Sequence, residues 1–115
     1  MGKYELDVQV KSEAGVDLVE LDGPVDSATI EVFKSRLDPV CNRQGAKVLL
    51  DCQQLTYLNS RAIGLLVNYH RHLLQSRGRL ALCRLNTKLV RSLDLLQLGK
   101  TLFTYETREL GLESF

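Results

Sequence analysis

Residues 49–64 have the sequence LLDCQQLTYLNSRAIG, in which a continuous apolar run passes through polar residues into a helical pattern. The apolar run lies within residues 47–52 and ends in an acid, Asp51. Such a run is typical of a central strand that is covered on both faces. From Ser60 to Ser76 apolar residues recur every three or four positions, which predicts a long helix. We therefore expect residues 53–59 to form the loop between this strand and this helix.

The flanking sequence predicts further strands and helices on both sides of this segment. They are strands over residues 3–10 (with Tyr4, Leu6, Val8 and Val10 on one face), 16–21, 80–83 and 102–105, helices capped by Asp26 or Ser27 and by Asn86, and a helical turn near Leu110 and Leu112. Turn formers at 22–26 should end the second strand, and Pro39 should end or bend the first helix. Gly78 and the region of Gly99 should end the next two helices. The order β-β-α-β-α-β-α-β predicts an α/β sandwich, a mixed sheet of about five strands with helices packed on it.

Length and composition indicate one ordinary globular domain over residues 1–115, since the chain has a mass of 13.0 kDa and is 44% hydrophobic and 25% charged. No apolar run approaches the roughly 18 residues that cross a bilayer, and the N-terminus has no features of a secretory signal. Cys41, Cys52 and Cys83 are odd in number and form no C-x-x-C pair. We therefore expect a cytoplasmic protein with reduced, buried thiols and no membrane insertion.

The net charge of +1 hides a segment without acids. Between Cys52 and Leu93 there is no Asp or Glu, against seven bases: Arg61, Arg71, Arg77, Arg79, Arg84, Lys88 and Arg91. A basic segment could bind an acidic protein surface, an anion or nucleic acid, or it could consist of solvated positions that merely lack acidic neighbours. Aromatic residues are too few among these bases to serve as stacking platforms, so direct nucleic-acid binding is not expected.

Residues that commonly support catalysis are scarce. His70 and His72 lie two apart on a predicted helix and so point away from each other, which favours solvated surface histidines over a metal site. Asp51 has two interpretations. It is either a ligand-binding carboxylate at the edge of an open sheet or a structural hydrogen-bond acceptor for the loop that follows.

Asn59 and Ser60 mark the start of the long helix. Asn59 is a favoured N-cap, which places the Ser60 hydroxyl in the first turn beside unpaired backbone N–H groups that would accept a phosphate. A phosphoserine there would add about −1.5 to −2 charges. The alternative is that Ser60 only begins the helix.

Residues 49–64 resemble the signature of the STAS domain family of bacterial anti-anti-sigma factors. That signature is an apolar strand ending in Asp-(Leu/Cys), a short loop, and then Asp-Ser-(Ser/Thr)-Gly-(Leu/Ile)-Gly. Residues 21–29 are similar to the family's early Gly-x-(Ile/Leu/Val)-Asp turn, with Asp26 as its acid. Residues 78–83 and 90–103 are similar to the family's later strand and helix.

The resemblance implies a binding switch rather than an enzyme. In this family the unphosphorylated protein docks on an anti-sigma factor that is also a serine kinase, and so frees the sigma factor. Phosphorylation at the position of Ser60 abolishes docking, and a metal-dependent serine phosphatase restores it. ATP is bound by the kinase, so no cofactor is expected on this chain, which we expect to be a monomer. The implied partner surface consists of Asp26, Asn59, Ser60 and Arg61.

Three positions depart from the signature. Asn59 replaces the acid and Arg61 the second hydroxyl, while Ala62 adds a methyl group where the kinase approaches. Arg61 could stabilise a phosphate or pair with an acidic partner. Two alternatives therefore stay open. The first is an unphosphorylated STAS scaffold or subunit in a transporter ATPase or stress-sensing assembly, and the second is an enzyme or small-ligand binder around Asp51.

Overall fold

The computed structural model describes residues 4–98 and 100–115, in which five strands and four helices form a mixed α/β structure. The strands are β1 (Asp7–Glu13), β2 (Val16–Val25), β3 (Lys47–Leu58), β4 (Arg79–Cys83) and β5 (Phe103–Tyr105). The helices are α1 (Ile30–Cys41), α2 (Ser60–Gln75), α3 (Thr87–Leu95) and α4 (Arg108–Glu113). The predicted fold class and element order are confirmed, and the predicted C-terminal turn is α4.

The strands lie in the sheet in the same order as in the chain, β1-β2-β3-β4-β5. β1 and β2 are antiparallel, and each later strand is parallel to the one before it. The β1–β2 hairpin turns at Ala14 and Gly15, whose φ angles of +54° and +80° are both left-handed. Two left-handed residues between paired strands form the turn whose twist matches that of a hairpin.

The helices cover the two faces of the sheet unequally. α1, α2 and α3 pack on one face over the larger core, in which Phe33, Leu50 and Leu66 are almost fully buried. Alternate strand residues point to the opposite face, where Leu49 lies in a smaller cluster that Leu112, next to the end of α4, packs against. No helix among the described residues is long and apolar enough to span a membrane.

Two strands extend further than predicted. β2 continues through the expected turn at 22–26 as far as Val25, and β3 continues through the expected loop at 53–59 as far as Leu58. These two segments pair with each other, so each supplies the backbone hydrogen bonds of the other and the local turn signals are overridden. Gly23 accommodates the irregular register there, because its φ is +113° and any Cβ at this position would overlap the Glu5 carbonyl oxygen.

The first strand is shorter and later than predicted. It begins at Asp7, and of its predicted inward face Tyr4 is 84% exposed and Val10 is 40% exposed. β1 lies at the edge of the sheet formed by the described strands and pairs with β2, and of that predicted face Leu6 and Val8 reach the core. Lys3, at the start of the predicted strand, lies outside the described residues.

Helix ends also differ from the prediction. Pro39 lies inside α1, which ends two residues later, at Cys41. The left-handed residue after α2 is Arg77, with φ +65°, and not Gly78. Gly78 donates its N–H to the Leu73 carbonyl at 2.7 Å and approaches Ala46 so closely that a Cβ would overlap the Ala46 carbonyl oxygen. Gly99, the expected end of α3, lies outside the described residues.

Candidate functional site

Asn59 caps α2, as predicted. Its backbone is extended, and its side-chain oxygen accepts the Ala62 N–H at 2.9 Å. Ser60 is therefore the first residue of the helix and is exposed, and its hydroxyl has no hydrogen-bond partner among residues 4–98 and 100–115. The first-turn N–H groups of a helix carry a positive partial charge, so a group on this hydroxyl lies in an environment that favours anions.

Asp26 lies beside this helix start because the ends of β2 and β3 are joined there. The Asn59 N–H donates to the Val25 carbonyl at 2.9 Å, directly before Asp26 in the chain. The structure thus brings Asp26 and the Asn59–Arg61 segment together at the carboxyl edge of the parallel strands, where α2 and α3 also begin. Tyr57, near the end of β3 at this edge, is 44% exposed.

Of the two residues predicted to cap α1, Asp26 makes the capping bonds, whereas Ser27 makes none among the described residues. The Asp26 carboxylate accepts the N–H groups of Ala28 and Thr29, at 2.9 and 3.1 Å, and the Asp26 carbonyl accepts the Ile30 N–H at 2.9 Å. The regular helix begins only at Ile30, so this bonding lies in the turn that leads into α1. The Thr29 hydroxyl, which is buried, donates to the Pro24 carbonyl at 2.8 Å and fixes this turn. Sequence reasoning missed Thr29. Its only signal is a hydroxyl residue three positions after an Asp.

Arg61 links the starts of α2 and α1. Its guanidinium lies 3.1 Å from the Glu31 carboxylate, and both side chains are more than half exposed. An exposed pair of this kind contributes at most about 1 kcal/mol, but it offsets the unfavourable position of a cation at a helix N-terminus. Glu31 was not predicted as a site residue.

Ala62 does not affect the surface in the expected way. The residue is fully buried, so its methyl group faces the core and does not stand where a partner would approach. Gly64, the retained glycine, is exposed, and a Cβ there would meet nothing within 4 Å. The departure at Ala62 therefore leaves the outer surface of the first turn of α2 unchanged.

Asp51 is a structural residue in this fold. It is 3% exposed, accepts the Gln53 N–H at 3.2 Å and forms a two-point ion pair with Arg84. The hydrogen bond from Arg84 to Asp51 raises the pKa of Arg84. Asp51 precedes seven further residues of β3, so it does not lie at the edge where a ligand would be expected. The second interpretation of Asp51, a hydrogen-bond acceptor, is the one that the geometry supports.

The two histidines are not alike, and the prediction that both are solvated is wrong for His70. His70 is 4% exposed and packs edge-to-face against Phe103, with ring centroids 5.2 Å apart. Burial, together with the charges of Arg71 and Arg79, lowers the pKa of His70. His72 is exposed, with its Nε2 3.3 Å from the Asn42 carbonyl oxygen. Their different environments and directions exclude a shared metal ion, and the described residues contain no cluster of three or more potential ligands.

The three cysteines are buried and unpaired, as predicted. Burial raises the pKa of the Cys41 and Cys83 thiols to about 12 and that of Cys52 well above its ordinary value. Thiols of this kind stay protonated at neutral pH and are poor nucleophiles.

Comparison with known proteins gives the family. The STAS domain family matches residues 7–110, which is most of the chain. This chain belongs to the STAS domain family. The resemblance inferred from residues 49–64 is thereby confirmed.

Individual STAS proteins are similar over nearly the full length. An anti-sigma F factor antagonist of Paenibacillus polymyxa is 26% identical over 102 residues, covering 88% of this chain and 87% of that protein. An anti-sigma factor antagonist from Mycobacterium paratuberculosis has the same fold, with a TM-score of 0.85 at 20% identity over 95% of this chain and 92% of that one. The phosphorylated form of the Bacillus cell fate determinant SpoIIAA also superposes, with a TM-score of 0.69 at 16% identity over 94% of this chain and 98% of that one.

Proposed function

We propose that this STAS domain is an anti-sigma factor antagonist that docks on an anti-sigma factor/serine kinase and is switched off when that kinase phosphorylates Ser60. The observation that carries the proposal is the Ser60 hydroxyl, which is exposed and without a hydrogen-bond partner among the described residues at the first position of α2. The relative from Paenibacillus polymyxa, an anti-sigma F factor antagonist, supports the same role.

The proposed chemistry belongs to the partners. The Ser60 Oγ attacks the γ-phosphorus of ATP held by the kinase, the hydroxyl proton passes to a base of the kinase, and ADP leaves. A metal-dependent serine phosphatase reverses the state, with water displacing Ser60 Oγ and releasing inorganic phosphate. The STAS domain itself then needs neither a cofactor nor catalytic residues, and Asp51, which Arg84 already binds, has no part in the reaction.

The docking surface in this proposal consists of Asp26, Asn59, Ser60 and Arg61. Phosphorylation would add about −1.5 to −2 charges to this edge. The phosphate would lose its hydrating water on docking, which costs binding free energy unless a partner group of the opposite sign faces it. The cap bond between Asn59 and Ala62 does not involve the Ser60 hydroxyl, so α2 should stay folded in both states. The switch then acts on the contact surface and not on the fold.

The first test is phosphorylation of purified variants by an anti-sigma kinase of the source organism with ATP, followed by intact mass and peptide mapping. We expect one phosphoryl group on the wild-type protein and none on Ser60→Ala. Thr87→Ala is the matched control, because Thr87 is also an exposed hydroxyl residue at the first position of a helix, behind an Asn cap and before a base. Undiminished phosphorylation of Ser60→Ala, or its loss in Thr87→Ala, would place the site elsewhere.

A binding measurement separates the switch from the constitutive scaffold. In the switch, Ser60→Asp weakens binding of the anti-sigma factor by about 100-fold, which corresponds to about 2.7 kcal/mol. In a scaffold whose Ser60 lies outside the interface, Ser60→Asp binds its partner as the wild-type protein does. Ser60→Ala should bind normally in both cases and serves as the control for loss of the hydroxyl alone.

A further inference from the structure

The seven bases of the acid-free segment fall into two groups in the fold. Arg79 and Arg84 are used inside the protein. Arg79 lies over the ring of Phe103 at 4.3 Å and donates to Ser114, and Arg84 binds Asp51. The other five are exposed: Arg61, Arg71, Arg77, Lys88 and Arg91. The interpretation of all seven as solvated positions is therefore wrong for Arg79 and Arg84.

Two of the exposed bases share one side of α3 with an exposed leucine. Lys88, Arg91 and Leu95 are spaced three and four residues apart and form what we call the α3 stripe. Leu95 is 84% exposed, whereas Leu89 and Leu93 on the opposite side of the helix are 2% exposed. Among residues 4–98 and 100–115, neither Lys88 nor Arg91 forms an ion pair.

The acid of this helix, Asp94, lies three residues after Arg91 and so borders the α3 stripe, but the two form no ion pair among the described residues. Asp94 and Val90 line a cleft that faces Thr104 of the edge strand β5. The α3 stripe therefore presents two unpaired cations beside a large apolar side chain. Bases of this kind favour an acidic surface, and a leucine exposed to this extent gains free energy only when a partner covers it.

We propose that the α3 stripe contacts an acidic surface of the anti-sigma factor, with carboxylates facing Lys88 and Arg91 and an apolar depression receiving Leu95. This inference rests on the proposed function and specifies the chemistry of the partner. It extends the docking surface from the start of α2 along α3.

The position of α3 makes one contact surface feasible. α2 and α3 follow the neighbouring parallel strands β3 and β4 and both begin at their carboxyl edge. The Asn86 side chain, which caps α3, also donates to the Leu55 carbonyl of β3 at 3.4 Å and holds the start of α3 against that strand. Lys88 lies in the first turn of α3, as Ser60 does in the first turn of α2.

An acidic partner surface also explains why phosphorylation should weaken binding and not strengthen it. Phosphorylation of Ser60 adds negative charge at the same edge of the sheet at which α3 begins, so it opposes the approach of the acidic surface that the α3 stripe attracts. Coulomb repulsion of this kind weakens as salt screens it.

The test is a titration of the anti-sigma factor of the source organism with three forms of the protein at low and high NaCl. The double variant Lys88→Glu/Arg91→Glu should bind at least about tenfold more weakly than wild type at low salt. The matched control is Arg36→Glu/Lys47→Glu, which changes the net charge equally at exposed positions on α1 and at the start of β3. The control should stay within about twofold of wild type. Circular dichroism melts establish that all three forms are folded.

The same titration compares Leu95→Ala, which should weaken binding, with Leu110→Ala, which should not. Leu110 is the control because it is also an exposed leucine, on α4. If the double variant binds with wild-type affinity, the α3 stripe is not a contact surface and this proposal is wrong. The proposed function would still stand if Ser60→Asp lost binding in the same assay. Failure of the wild-type protein to bind any anti-sigma factor would overturn both. Equal loss in the charge control, or binding of duplex DNA that the double variant abolishes, would also overturn the assignment.

Discussion

At the level of single residues, the capping bond of Asn59 fixes the start of α2 and so places the candidate phosphorylation site, Ser60, in the first turn of that helix. Asn59→Ala removes the acceptor of the Ala62 N–H and should lower the free energy of unfolding by about 1 kcal/mol. Asn59→Asp keeps an acceptor at the same place and should stay within a few tenths of a kcal/mol of wild type. Urea denaturation of the three proteins measures this, and equal losses in both variants would exclude the capping role.

The Arg84–Asp51 pair and the Arg61–Glu31 pair should differ sharply in their contribution to stability. Arg84→Ala leaves Asp51, which is 3% exposed, without its main partner, and should cost about 3 kcal/mol. Arg61→Ala removes an exposed pair and should cost less than about 1 kcal/mol. Comparable unfolding midpoints for the two arginine variants would show that Asp51 finds other partners.

At the level of strands and helices, two glycines should respond to alanine in opposite directions. Gly23→Ala forces a methyl group against the Glu5 carbonyl oxygen at a left-handed backbone position, and should cost more than about 2 kcal/mol. Gly64→Ala fills open space on the solvent side of α2 and should stabilise by about 0.5–1 kcal/mol. Thermal melts measure both effects, and a stable Gly23→Ala protein would contradict the close approach of Glu5 to β2.

The contact between α2 and β5 should make stability depend on pH. Because the pKa of buried His70 is lowered from its ordinary 6.5, the unfolded chain binds a proton more readily than the folded protein. Stability from this residue is complete above pH 6.5 and is lost as the pH falls below it. His70→Gln should lose this part of the pH dependence, whereas His72→Gln should keep it. Parallel stability curves for wild type and His70→Gln across this range would contradict the burial of the ring.

The sequence predicted correctly those residues and elements whose contacts are made with residues close to them in the chain. Asn59 and Asn86 cap α2 and α3 through bonds to residues three positions along the chain, so their sequences suffice. The extensions of β2 and β3 depend on pairing between these two strands, which are separated in the chain by the whole of α1. His70 is buried partly by Phe103, which no helical pattern in α2 reveals.

At the level of the whole molecule, the three thiols report on opening of the fold. Cys41, Cys52 and Cys83 are buried with raised pKa values, so an aromatic disulfide reagent should modify the native protein at least about 100-fold more slowly than the denatured chain. Serine replacements, one at a time, identify the thiol that reacts first. Rapid modification of Cys83 alone would show that α4 detaches from the sheet while the larger core stays closed.

The agreement between strand order and chain order has a consequence for synthesis on the ribosome. Each strand pairs with the one made just before it, so every β–α unit can dock as it emerges and never waits for a later strand to be inserted. The exception is the face under α4, where Leu18, Leu49 and Ala81 are buried in part by residues that follow β5. Until those residues leave the exit tunnel the nascent chain carries an open apolar patch, and chaperone binding should be concentrated in that interval.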